Sequence, residues 1–536
     1  MSVQNLTEVG VVGEESSPTR ISVKARYPLP VGTYVYLNYQ VKDPRSKNVM
    51  RRDVVGLIGA TQFKSLTPVM SKPPTSIPTV VVEAPELLEL KRESVMDAIL
   101  IADITEDRPS VPTYPPPPET KVYLATPQHL SKIYRQDPEE SIRVGSLAGH
   151  EEDIEVRVNV NALVKHLLVT GVTGSGKSNF IAVLADRVAG LGGSVVIFDT
   201  HGEYKLESEN PGRVEVVSYE ASINLIKTPI RLLTMFIISE PGATKQRRIL
   251  RNAIKSLNGR ILEKASKEGI PLSKAVVELA KASGRAVGGD LSEIQAYEEL
   301  LKGEVIKAVP KDDKLRDNII DKIEDFFEWH KTSLDMPEVS ELIAPERIID
   351  VDVSELTDSE QDWMLKVIAE DLLWSLKERR AIPTLLVVEE AHIFLSENRH
   401  TESKEALQRF VREGRKFGAM LAIVSQRPRT LDPAIVSQVQ NFAFFKLVQT
   451  MDRNKVVEFS DVLSEEYSNL MPSFPPGHAI LVGEWVGRFT VYAHIDKHEG
   501  KKLGASPKVV SVWRDKLIER NSEASKAKER SSLTEL

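Results

Sequence analysis

Two patterns of apolar and polar positions divide this chain of 536 residues. Over roughly the first 150, short runs alternate: Ile21-Ser-Val-Lys-Ala-Arg-Tyr27, Thr33–Val41 and Asp53–Gly59, separated by Gly, Pro and Asp. A period of two sends successive side chains to opposite faces, as in a half-buried strand. Thr79–Val82, Ala98–Ala102 and Val122–Leu124 extend the series, and strands this short and close predict a small closed barrel over residues 1–150. Pro112-Thr-Tyr-Pro-Pro-Pro-Pro118 is a stiff extended segment expected to run over the barrel surface.

From about Glu155 the pattern becomes strand followed by helix. Ser194–Asp199, Arg347–Val353, Pro383–Val388, Gly418–Val424 and Asn441–Phe445 are near-continuous apolar runs, with helical periodicity between most of them. Such runs predict a mainly parallel sheet covered on both faces, an α/β core over 151–229 and 343–500. Between 230 and 342 the period is helical throughout. Leu250, Ile254, Leu257 and Ile261 form one stripe, and Leu315, Ile319, Ile323 and Phe327 another, so an inserted bundle of about four helices is expected. A charged extension, 501–536, follows, with Val509–Trp513 as its main apolar patch.

The core carries chemistry at its strand ends. Gly171-Val-Thr-Gly-Ser-Gly-Lys-Ser178 follows the apolar run His166–Thr170 and precedes the helical Asn179–Ala185. In that order, bare backbone N–H groups wrap a triphosphate. Lys177 would reach the β- and γ-phosphates, and the Ser178 hydroxyl would ligate Mg²⁺. Leu385-Leu-Val-Val-Glu389-Glu390 ends a second strand in two carboxylates. Glu389 is expected at the metal shell, where Asp is commoner, and Glu390 beside the attacking water. Gln426 ends a third strand, where an amide can sense the γ-phosphate. Asp199-Thr-His-Gly-Glu203-Tyr204 crowds the same edge; its His201 is more suited to positioning neighbours than to holding a metal. The arginines of Arg412-Glu-Gly-Arg415-Lys416 could approach a neighbouring subunit's γ-phosphate or form a solvated basic helix end, and spacing does not choose between the two readings.

Composition adds boundaries. There is no run of the roughly 18 apolar residues that a membrane span needs. The N-terminus lacks the basic-then-apolar order of a secretory signal, so a cytoplasmic protein is expected. The absence of Cys excludes disulfides and thiol catalysis. A net charge of −7 means that any nucleic-acid contact must be concentrated in a pore or groove.

Taken together, GVTGSGKSN, FDTHGEY, VVEEAHIFL, GRKFG and VSQRP resemble the HerA branch of the HerA/FtsK superfamily of ring-shaped DNA-pumping ATPases. The likeness covers most of the chain: Gly10–Gly13, Val31–Val35 and Ile142–Leu147 resemble that family's small N-terminal barrel. It implies a RecA-like P-loop NTPase core with an N-terminal β-barrel and an inserted helical bundle. ATP would lie on Gly171, Thr173, Gly174, Ser175, Gly176, Lys177, Ser178 and Asn179, with Mg²⁺ on Ser178 and Glu389. The resemblance further implies Glu390 as catalytic glutamate, Gln426 as sensor and Arg415, before Arg412, as a finger acting on the next subunit. Lys165 stands where the family often has a basic residue, a further candidate intersubunit contact. A hexamer threading double-stranded DNA is implied, with a NurA-like nuclease docked on the barrel to process ends for recombination. Lys404, Arg409, Arg399 and Lys245-Gln-Arg-Arg248 are candidate DNA contacts. A nucleotide-gated scaffold and a motor for DNA or protein transfer are the alternatives.

Overall fold

The computed structural model describes residues 6–25, 27–42, 48–65, 92–240, 242–284, 291–460, 463, 465–487, 489–500 and 514. The strand expected at Thr79–Val82 and the patch Val509–Trp513 lie outside the described residues.

Six antiparallel strands close the barrel: β1 (Glu8–Ser16), β2 (Arg20–Ala25), β3 (Tyr34–Lys42), β4 (Val49–Ser65), β5 (Arg92–Asp103) and β6 (Lys121–Leu124), in the order β1-β2-β5-β4-β3-β6. β1 was not legible as a strand, because Gly10 and Gly13 interrupt its alternation. β3 shows why the barrel strands read as apolar on both faces. Val35, Leu37 and Tyr39 fill the barrel interior, while Tyr34 and Tyr36 face the main core. The proline segment runs along the barrel as expected, accepting hydrogen bonds from Tyr39 Oη at Tyr114 O (2.7 Å) and from Ser16 Oγ at Pro116 O (2.6 Å). Helix α1 (Pro127–Tyr134) then ties barrel to core, its Tyr134 hydroxyl lying 3.5 Å from that of Tyr34 and 3.3 Å from Thr490 O.

β7 (Ser141–Leu147) departs from expectation. It joins the large sheet and not the barrel, pairing β8 (His150–Asn159) on one side and β19 (Val491–Ile495) on the other. The reason is local: a Cβ on Gly145 would sit 2.1 Å from His494 O, so only glycine admits that neighbour.

The sheet has eleven strands. The others are β9 (Leu167–Thr170), β10 (Ser194–Asp199), β11 (Glu215–Glu220), β14 (Arg347–Asp352), β15 (Thr384–Val388), β16 (Ala419–Ser425), β17 (Asn441–Phe444) and β18 (His478–Gly483); β12 (Ile223–Asn224) and β13 (Thr332–Ser333) pair separately. Its order is β11-β14-β10-β15-β16-β9-β17-β18-β19-β7-β8, parallel as far as β17 and antiparallel beyond. Helix α2 (Lys177–Gly190) leads from β9 leftward to β10, whereas α8 (Asp358–Lys377) and α9 (Glu402–Gly414) lead rightward to β15 and β16. Right-handed crossovers of opposite direction put their helices on opposite faces, so both faces are covered.

Among the described residues five helices, α3 (Ile230–Ile237), α4 (Thr244–Glu268), α5 (Leu272–Ala282), α6 (Glu293–Ala308) and α7 (Asp313–Trp329), make the insertion; the one beyond the expected four is the short α3. They enclose an apolar core of their own, containing the buried Leu250, Ile254, Leu257, Ile261, Ile319 and Ile323. The chain enters them from the carboxyl end of β11, the same edge on which the candidate site lies.

A buried amide holds the sheet centre. Asn441 Nδ2 donates to Ala162 O (2.8 Å) and His166 O (2.9 Å), and its Oδ1 accepts from the Trp485 N–H (3.1 Å). Asn441→Ala orphans these groups and is expected to cost about 2–3 kcal/mol, measurable as an earlier urea midpoint.

Candidate nucleotide site

Strand order alone assembles the site. Phe198 and Ile423 flank Val388 in register, and Ser425 pairs Thr170. The next residues of four neighbouring strands are therefore Asp199, Glu389-Glu390, Gln426 and Gly171, side by side at the carboxyl edge. This is where open α/β sheets bind ligands.

The loop from Gly171 to Gly176 needs its glycines for stated reasons. Gly176 holds φ 113°, and a Cβ on Gly171 would lie 2.6 Å from that of Phe445. Lys177 is 7% exposed and donates from Nζ to Val172 O (3.1 Å). Burial lowers its pKa, against the pull of the Glu390 and Glu389 charges. Ser178 Oγ donates to Glu389 Oε1 (3.4 Å), and Tyr204 Oη donates to the same oxygen (3.0 Å). Glu389 Oε2 is buried and has no hydrogen-bond partner among the described residues. Burial, and then the charge of Asp199, push the Glu389 pKa up to about 8. Asp350, unnoticed in the sequence, is pushed up to about 7 by burial and by Asp199 and Asp352.

Glu390 is held differently. Its φ of 43° is unusual for a side chain with a Cβ, and such strain gathers at functional sites. Gln426 Nε2 donates to Glu390 Oε1, Thr173 Oγ1 donates to Gln426 Oε1 (2.5 Å), and His392 Nδ1 lies 3.1 Å from Glu390 Oε2. Burial would raise the Glu390 pKa, but His392 and Gln426, with the charge of Lys177, hold it below the ordinary value. Two adjacent carboxylates thus diverge in acidity: Glu390 is held below the ordinary carboxyl range and Glu389 is pushed above it. The edge is strongly acidic, so a triphosphate would enter together with a divalent cation. The orphaned Glu389 oxygen and the Ser178 hydroxyl fit one.

Other expected residues lie elsewhere. The Asn179 side chain is spent on Asp496 O (2.8 Å) and the His498 N–H (3.0 Å), so only its backbone faces the loop. Ser175 is buried, its carbonyl accepting from the Gly477 N–H (2.9 Å). His201 is exposed, and its backbone N–H donates to Asp199 Oδ1 (3.1 Å). Arg412 and Arg415 are exposed and precede β16, whereas the loop adjoins its far end, about 20 Å along the strand. Neither reaches the site of its own chain. His166 fixes their base: its Nδ1 accepts from the Leu421 N–H (3.2 Å) and its Nε2 reaches Val411 O (3.1 Å). Burial drives the His166 pKa down to about 4, so the ring is neutral and Nε2 carries the donated proton. Lys165 is ion-paired within the chain to Glu484, which removes it as a free intersubunit cation. Lys404 pairs Asp432 (2.8 Å) beneath the surface, so it is no free DNA contact either. Sequence reasoning missed Tyr204 as the brace of Glu389 and His392 as the partner of Glu390. The only sequence signal was their nearness to FDTHGEY and VVEEAH, because contact between distant strands is a tertiary fact.

A helix-covered parallel sheet, a phosphate loop at one strand end and a carboxylate pair two strands away define a P-loop NTPase of RecA-like type. Residues 142–372 match the family model described as "Helicase HerA, central domain". The DNA double-strand break repair helicase HerA of Saccharolobus solfataricus is 32% identical over 94% of this chain and 95% of its own length. The protein of that name from Sulfurisphaera tokodaii is 36% identical over 76% of this chain and 78% of its own. This chain belongs to the HerA helicase family. Among solved structures, VirB4 of Thermoanaerobacter pseudethanolicus aligns with TM-score 0.42 and 17% identity, over 69% of this chain and 98% of that one. No helix among the described residues is long and apolar enough to cross a membrane.

Proposed function

We propose that this chain is the subunit of an ATP-driven, ring-forming motor that pumps duplex DNA while broken ends are processed for recombination. The observation that carries it is the hydrogen-bonded series Thr173–Gln426–Glu390, which connects the phosphate loop directly to the ionised carboxylate. Loop backbone and Lys177 would hold the triphosphate, and Glu390 would take the proton of the attacking water. Gln426, already touching both sides, would couple water orientation to the phosphate. Ser178 and Glu389 would hold Mg²⁺, whose charge neutralises the transferring phosphoryl group. Arg415 would complete the site of the next subunit, which is supported by its exposure and by its distance from its own loop. A closed hexamer gives every site a finger.

In this reading residues 1–150, with β7 excepted, are a docking collar for a NurA-like nuclease, and residues 151–229 and 343–500 are the motor. Residues 230–342 stand over its carboxyl edge, with 501–536 as an extension, and the setting is cytoplasmic. The test is ATP turnover with and without linear duplex DNA, paired with native mass measurement. Stimulation of severalfold or more by DNA and a hexameric mass are expected. Turnover indifferent to DNA would leave a nucleotide-gated scaffold, and full activity in a monomer would remove the trans finger.

A further inference from the structure

The longest helix among the described residues carries a charge pattern that nucleotide chemistry does not use. From Thr244 to Ile261, helix α4 holds six basic residues (Lys245, Arg247, Arg248, Arg251, Lys255 and Arg260) and no acidic one, in a chain whose net charge is −7. Half of these have structural work. Arg247 caps the carbonyls of Ile238, Ser239 and Glu240 at 2.8 to 2.9 Å, Arg260 pairs Glu304 (2.8 Å), and Lys245 lies 3.8 Å from Asp312. Arg248, Arg251 and Lys255 remain. They are exposed, at spacings of three and four residues along one helix face, and make no hydrogen bond or ion pair among the described residues.

Two comparisons separate this ridge from an ordinary solvated face. The second half of the same helix neutralises itself, through Lys267–Glu263 (2.6 Å) and Lys264–Glu268 (2.8 Å). No acidic residue lies three or four positions from Arg248, Arg251 or Lys255 along α4 to offset them. The acids of adjoining α7 do not offset them, since Arg316 engages Asp313 (2.6 Å) and Asp317 (3.1 Å), and Lys245 faces Asp312. Cations gathered on one helix face without partners call for an external polyanion.

We infer that Arg248, Arg251 and Lys255 form a phosphate-binding ridge by which the helical insertion grips the DNA duplex. This rests on the motor reading above and adds a contact site to it. Arg248 and Lys255 are about 10 Å apart along the helix axis. Duplex DNA carries a charge for every ~1.7 Å of its length, so the ridge spans several phosphates and reads no sequence. The insertion leaves the sheet at its carboxyl edge, so a grip there would place DNA over the edge where the nucleotide binds.

The experiment is fluorescence anisotropy of a labelled duplex against salt, using the full-length protein with a non-hydrolysable ATP analogue. Wild type is compared with Arg248→Gln/Arg251→Gln/Lys255→Gln and with Lys264→Gln/Lys267→Gln from the self-neutralised half. The ridge variant is expected to bind DNA about tenfold or more weakly at 0.1 M salt, with a salt slope shallower by about 0.9 for each phosphate it no longer neutralises. Its melting temperature and DNA-free ATP turnover should match wild type, and the control variant should bind normally. A ridge variant with wild-type affinity and slope overturns the ridge while leaving the motor intact. An equal loss in the control variant also overturns it, since the effect would then be general charge. Wild type that binds no duplex overturns the motor reading itself.

Discussion

The chain with Arg415→Ala is expected to hydrolyse ATP about 10³-fold more slowly or worse, with nucleotide affinity almost unchanged. An arginine finger acts on charge that develops in the transition state, and removing one from an NTPase forfeits about 10³–10⁵ in rate. Arg415 is exposed, and it lies at the opposite end of β16 from its own phosphate loop. Its effect is therefore expected to fall on another subunit, and a mixture tests this. Rings assembled from Arg415→Ala and Lys177→Ala chains each lack one half of a site, yet some interfaces join an intact loop to an intact finger. Turnover in the mixture should exceed that of either variant alone. A mixture as inactive as its parts, or an Arg415→Ala chain within about tenfold of wild type, rejects the trans assignment. Arg412→Ala is the companion variant, and a larger loss there would move the finger by one helical turn.

Glu390→Gln should lower single-turnover hydrolysis by about 10²–10⁴-fold, the usual worth of a positioned general base. The substitution keeps the side-chain length, so the strained backbone at φ 43° and the contact to Gln426 have the same shape to accommodate. Binding of a fluorescent ATP analogue should persist, giving a chain that holds nucleotide without turning it over. The prediction has a directional partner at Glu389. Glu389→Gln removes a buried carboxyl raised by its surroundings, so its loss should appear first as activation shifted to higher Mg²⁺ concentration and only then as slower turnover at saturating Mg²⁺. Should Glu390→Gln retain turnover near wild type while Glu389→Gln abolishes it, the two roles would have to be exchanged.

The opposite behaviour of these neighbours could not be read from the dipeptide Glu389-Glu390. Both are carboxylates at the end of one apolar strand. Burial and the charge of Asp199 raise the pKa of one, and His392 with Gln426 lowers that of the other. The same holds for Asp350, whose place beside Asp199 follows from β14 pairing β10 across more than a hundred intervening residues. Lys165 and Lys404 show the reverse. Their sequence positions recommended them as free cations, and Glu484 and Asp432 had already claimed them.

What the sequence determined by itself was local: strands read from period two or apolar runs, helices from period 3.6, and the phosphate loop from eight consecutive residues. Each depends on interactions within a few residues of itself, so its signal survives without the fold. Only the tertiary structure decided that β7 belongs to the large sheet, through the one glycine that admits His494 O. It also decided which strand ends meet, which carboxylate is charged, and which cations are left unpaired. Those properties depend on burial and on neighbours far away in the chain, and no local pattern records them.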